Sequence, residues 1–163
     1  MEEPLRKKYS TEYARQKIEA YCAYQERSHY EVKEKLYSFG LHSNDVNTII
    51  AGLIANNFLN EERFALAIAS GKFRIKGWGK AKIKMSLKQK RVSDYCIKVA
   101  LNSIPADEYF TVLLKVAARK NMDIKEKEEY KRKYKLTAYL LSRGFERELI
   151  QKAIQQIFDN EAS

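Results

Sequence analysis

An apolar pattern recurs three times along this chain, around Gly40, Arg91 and Gly144, at separations of 51 and 53 residues. Eight and four residues before each anchor stand Val32 and Leu36, then Ile83 and Leu87, then Leu136 and Leu140. Six, nine, ten and thirteen residues after it come Val46, Ile49, Ile50 and Leu53; Ile97, Ala100, Leu101 and Ile104; and Ile150, Ala153, Ile154 and Ile157. Spacings of three and four residues place such side chains on one helical face. Each copy therefore reads as a helix, a tight turn and a second helix. A repeat of this length is one supersecondary unit that buries its faces partly on its neighbours.

Helix boundaries follow from capping chemistry. Ser28 opens SHYE, read as a capping box in which the Ser28 hydroxyl accepts an orphan N–H and Glu31 reaches back to the Ser28 N–H. That helix runs to Gly40, which tolerates the positive φ of a C-terminal cap. Asn60 caps the next long helix, with Leu59 and Phe64 placed as a hydrophobic staple, and Ser93 acts likewise with Val92 and Ile97. Pro105 suits a first helical turn. A further helix precedes each pair, over about 11–26, 60–75 and 106–120. Met122 to Lys135 carries mixed charge without apolar stripes, so its beginning is either a solvated helix or a mobile connection, with a helical start to the last repeat favoured.

The expected fold is all-α, an elongated and curved array of three tandem three-helix repeats. Its divisions are an N-terminal tail at 1–10 and repeats at 11–57, 58–104 and 105–163, the last including a C-terminal tail.

Charge limits the classes of partner. With 31 Lys and Arg against 21 Asp and Glu, the net charge is +10, which favours polyanions. The two cysteines, Cys22 and Cys96, are far apart, which suits a reducing, cytoplasmic setting better than a disulfide framework. No apolar run approaches a membrane span, and the first ten residues lack the apolar core of a signal peptide. His29 and His42 have no ligand-spaced companions, and Glu61 and Glu62 fit the first turn of a helix, where they complement its dipole. Catalytic residues, a metal site and a cofactor site are therefore not expected. The sequence GWGK lacks the G-x-x-x-x-G-K-[ST] spacing of a phosphate loop.

The segment GKFRIKGWGKAKIKMSLKQKR, residues 71–91, holds nine basic residues and no acid. With Gly79 as N-cap, Trp78 and Ile83 occupy the two positions of a hydrophobic staple. On the helix that follows, Ile83 and Leu87 face the core while Lys80, Lys84, Lys88 and Arg91 fall along one flank, about 60° to 140° away. Like charges four residues apart cost roughly 0.2 to 0.5 kcal/mol per pair, and no acid in the segment offsets them. Stability alone leaves this ridge unexplained, and an anionic partner accounts for it. Arg74 and Lys76 add charge on the approach, and Trp78 offers an aromatic face.

Three segments, SHYEVKEKLYSFG, NFLNEERFALAIASGKFRIKGWGKAKIKMSLKQKRV and LLSRGFERELIQKAI, resemble the RecX regulators of the bacterial recombinase RecA, across roughly residues 14–158. Where the family usually carries Gly after the basic helix this chain has Arg91, and Trp78 stands where proline is common. The resemblance implies tandem three-helix repeats that bind RecA filaments on single- or double-stranded DNA and restrain them, in DNA repair, recombination and the SOS response. It implies a monomeric, non-enzymatic protein without cofactor or membrane association. The cationic contacts would come from the Lys80 to Arg91 ridge, Arg74, Lys76, Arg143 and Arg147. The alternative is a non-enzymatic helical DNA-binding module.

Overall fold

The computed structural model describes residues 9–163, and among these every regular element is a helix, nine in all. The first triplet is α1 (Thr11–Tyr24), α2 (His29–Ser38) and α3 (Ser43–Ala55). The second is α4 (Glu61–Arg74), α5 (Lys80–Gln89) and α6 (Asp94–Asn102). The third is α7 (Ala106–Asp123), α8 (Glu129–Ser142) and α9 (Arg147–Ala162). Helices pack principally within their own triplet. Of the expected N-terminal tail, 1–8 lies outside the described residues, whereas Tyr9 donates its N–H to the Phe39 carbonyl at 3.0 Å and Ser10 caps α1.

The pattern read from sequence is the core. Val32, Leu36, Ile83, Leu87, Leu136 and Leu140 are all fully buried. The three anchors share one backbone conformation, with φ of 82° at Gly40, 56° at Arg91 and 95° at Gly144. Arg91 thus holds the left-handed turn that glycine makes elsewhere, although a side chain is disfavoured there. Its guanidinium lies 4.3 Å from the centre of the Tyr30 ring, a cation–π contact with the first repeat.

Several local expectations need correction. The Ser28 hydroxyl accepts from the Glu31 N–H at 3.0 Å, but the Glu31 carboxylate pairs with Lys90 at 3.1 Å rather than returning to the Ser28 N–H. The staple at Asn60 does not close: Leu59 enters the core of the first repeat while Phe64 belongs to that of the second. Each is almost fully buried in the core on its own side of the turn, at 1% exposure. Pro105 is the N-cap of α7, one position before the first turn. Helix α7 extends to Asp123 and α8 begins only at Glu129. Between them the chain is irregular, held by Arg132, which donates to the carbonyls of Asn121, Ile124 and Glu126 and at 2.7 Å to Asn121 Oδ1. An arginine fork from the next helix thus satisfies orphan carbonyls at the end of α7.

Two apolar cores result rather than one. Ala14 to Leu59 form the first, while Phe64 to Ile154 form a second that runs unbroken through the second and third repeats. The joint between the first two repeats is polar: Arg63 Nε meets Glu26 Oε1 at 2.5 Å, Lys90 meets Glu31, and Arg91 covers Tyr30. The joint between the last two is apolar and close. Phe73, Tyr109 and Phe145 stack in series, with ring centres 5.8 and 5.5 Å apart. Gly79 donates its N–H to the Arg143 carbonyl at 2.8 Å, and Ala81 donates to the Gly144 carbonyl at 3.0 Å.

Candidate nucleic-acid interface

The loop from α4 to α5 is built by glycine. Gly77, at φ 66°, turns the chain so that its N–H meets the Phe73 carbonyl and the Trp78 N–H meets the Lys72 carbonyl, each at 3.0 Å. Gly79 is the N-cap of α5, which puts Trp78 immediately before the cap and Ile83 on the first full turn, as the sequence indicated. Trp78 is half-buried and packs on the core that contains Ile83. Its ring also carries two ammonium groups, Lys72 Nζ at 4.7 Å and Lys82 Nζ at 4.4 Å from its centre. Trp78, Met85 and Leu141 line a groove of about 350 Å³ between α5 and the α8 turn.

The ridge expected along α5 divides into parts with different duties. Lys80 is half-buried, donates its backbone N–H to Tyr109 Oη at 2.9 Å, and holds Nζ 5.1 Å from that ring. Arg91 stacks on Tyr30. Lys84 and Lys88, between them, are exposed and form no ion pair with any described residue. They share a cleft of about 360 Å³ with Lys98 of α6, where Asp94 is the one acid. Arg147 is the first residue of α9 and is exposed.

The remaining expected cations converge elsewhere. Arg74, Lys76 and Arg143 line a cleft of about 550 Å³ together with Lys115, Arg119 and Lys120 of α7. Arg74 is held in bidentate contact with Glu108, at 3.0 and 3.1 Å, and by Ser70. Arg143 donates to the Lys76 carbonyl, tying the end of α8 to the α4–α5 loop. Both arginines therefore join the second and third repeats as well as charging the cleft. The α7 cations escaped the sequence reading because Asp107, Glu108 and Asp123 share the helix and blur its charge. A spacing of four between Lys115 and Arg119 was the available signal.

Beneath this surface the Tyr109 hydroxyl accepts from Lys80 and donates to Glu146 Oε1 at 3.0 Å. Burial raises its titration well above the usual phenol range, with the Glu146 charge adding to the effect and the Lys80 hydrogen bond opposing it. It stays protonated and bridges the starts of α5 and α9. Among the described residues no cluster of three His, Cys, Asp or Glu side chains is placed to hold a metal ion. No helix among them is long and apolar enough to cross a membrane.

Comparison with known proteins agrees with this architecture. Residues 60–101 match the family description "RecX, second three-helix domain" and residues 107–154 match "RecX, third three-helix domain". A regulatory protein RecX from Pelodictyon phaeoclathratiforme is 32% identical over 127 residues, covering 77% of this chain and 76% of that protein. One from Clostridium perfringens is 29% identical over 133 residues, covering 80% of this chain, which spans 62% of that relative's length. The crystal structure of RecX from Lactobacillus salivarius superposes with a TM-score of 0.83 over 90% of this chain and 95% of the other, at 23% identity, a likeness of fold.

Proposed function

The chain belongs to the RecX family of regulatory proteins, and from that premise we propose that it binds RecA recombinase filaments on DNA and lowers recombinase activity, regulating homologous recombination and DNA repair. It does so as a cytoplasmic monomer with no catalytic step and no cofactor. The repeats 11–57, 58–104 and 105–163 are its working units.

The observation that carries this reading is the pair Lys84 and Lys88. They are exposed, one turn apart, and without an acid partner among the described residues. Their mutual repulsion works against the helix, so their value lies in a partner. A phosphate backbone supplies it and releases condensed counterions on contact. Arg147 extends the same charge to the third repeat, and Lys80, Arg91 and Trp78 hold the supporting helix in place while contributing to its field. Arg74, Lys76 and Arg143 do the same for the neighbouring cleft. Because the second and third repeats share one core, they act as a rigid body against a filament. A rigid body spanning adjacent protomers favours one relative arrangement of them, and this difference in affinity opposes the changes that accompany turnover.

The test is co-sedimentation with cognate recombinase filaments on single-stranded DNA, beside the same DNA alone. Retention well above that on bare DNA is expected. Equal retention on both assigns the chain to the alternative, a helical DNA-binding module.

A further inference from the structure

The geometry points to a second anion site, apart from the α5 flank: the cleft between α7 and the α4–α5 loop binds the phosphodiester backbone of a single nucleic-acid strand. One wall carries Lys115 and Arg119, a helical turn apart, and the other carries Lys76. All three are exposed, and none pairs with an acid among the described residues. Asp123 is the single acid of the cleft whose carboxylate has no cation partner there. By contrast, Arg74 and Arg143 are fixed by Glu108 and the Lys76 carbonyl, so the cleft keeps its shape and its positive field without a ligand.

The form of the cleft selects the ligand. Its volume is about 550 Å³, room for part of a single strand but not for the bulk of a duplex, whose major groove alone is about 12 Å wide and 8.5 Å deep. Lys115 and Arg119 are separated by about 6 Å along the helix axis, an array that follows a chain of phosphates rather than closing on one. The α7 N-terminus at Ala106 lies more than two turns before Lys115, and the first N–H groups of α5 are taken by the Arg143 carbonyl, the Tyr109 hydroxyl and the Gly144 carbonyl, so neither helix start gathers a compact triphosphate here. Ile75, 82% exposed on the rim, gives a sugar or base an apolar surface. The inference rests on the previous reading only in taking nucleic acid as the anion.

The test uses the full chain, without recombinase, and a fluorescein-labelled oligothymidylate followed by anisotropy across a salt series. Replacing Lys115→Gln and Arg119→Gln together weakens binding about tenfold at low salt and reduces the log–log salt slope by about 1.4, at ~0.7 per single-strand phosphate contact. Asp123→Asn, which removes the opposing charge, tightens binding about twofold. An unchanged affinity and slope in the double variant, with its thermal transition intact, overturns the site. Equal affinity for a duplex of the same length, lost to the same degree in the double variant, overturns the single-strand assignment. Binding of ATP or inorganic tripolyphosphate without binding of the oligonucleotide overturns it in favour of a free polyphosphate. Since no recombinase is present, failure of the filament reading leaves each of these outcomes unaffected.

Discussion

Gly79 and Gly144 bring the second and third repeats together backbone to backbone. A Cβ on Gly79 would overlap the carbonyl of Gly144 and the nitrogen of Phe145, and one on Gly144 would sit 2.5 Å from the Lys82 nitrogen. Hydrogen bonds from Gly79 to the Arg143 carbonyl and from Ala81 to the Gly144 carbonyl close the same crossing. This contact sets how the α5 helix and the α7 cleft are disposed in one rigid body.

Gly79→Ala should therefore cost about 3 kcal/mol or more, since inserting a methyl into a closed contact costs typically 1–3 kcal/mol and here both neighbours are backbone. Gly71→Ala is the control: it lies within α4 with nothing within 4 Å of its Cβ, and should stabilise by roughly 0.5–1 kcal/mol. Urea unfolding of both variants checks the difference in sign.

Arg91 occupies the left-handed turn at φ 56°. Arg91→Gly relieves about 1–2 kcal/mol of backbone strain but loses the Tyr30 contact, about 0.5–1 kcal/mol, and adds roughly 0.5–1 kcal/mol of unfolded-state entropy. The net change in stability should be near zero. Arg91→Val, β-branched in the same conformation, should destabilise by more than about 1 kcal/mol. Thermal melts of the two variants should separate clearly.

Stability should fall on the alkaline side. Burial pushes the Cys22 thiol from 9.0 up to about 11 and raises the Tyr109 phenol further. Both groups are neutral in the folded state, and their folded values lie above the unfolded ones. Their contribution is complete below the unfolded values and is lost as pH rises through the folded ones. The melting temperature should decline from about pH 9 upward, less steeply in Cys22→Ala. Tyr109→Phe should in addition cost about 1–3 kcal/mol at neutral pH, because it leaves the Lys80 N–H and the Glu146 carboxylate without their partner.

Arg63 joins the first repeat to the second through Glu26 Oε1, Asn57 Oδ1 at 3.0 Å and the Phe58 carbonyl at 3.4 Å. The pair is partly exposed, so Arg63→Ala should cost only about 1 kcal/mol globally. Its effect should be local: amide exchange should quicken in α1 to α3 and stay unchanged in the core shared by α4 to α9.

The repeat was legible because a helical face must be apolar at fixed intervals, and all three copies obey that rule at Val32, Ile83 and Leu136. The turn at Arg91 was legible only through its register with Gly40 and Gly144, since its own side chain argues against the conformation it adopts. Pairings between repeats were not legible. Glu31 reads as half of a local capping box but is drawn to Lys90, and Leu59 leaves its local partner for another core; both outcomes depend on how neighbouring repeats meet. The basic segment was visible as a block of charge without acids, yet that block could not separate Lys84 and Lys88 from Arg74 and Arg143, which are spent on holding repeats together. Lys115 and Arg119 were hidden by Asp107, Glu108 and Asp123 of the same helix, although Glu108 is drawn to Arg74 and Asp123 lines the cleft without pairing with either cation.

The proposed restraint of a recombinase filament rests on the cationic flank of α5. Its most direct test is the rate of ATP hydrolysis by the cognate RecA recombinase on single-stranded DNA, with the chain added at stoichiometric levels. A suppressed rate is expected, recovering when Lys84→Gln and Lys88→Gln are introduced together into a folded chain. A rate unchanged by the unmodified chain would contradict it.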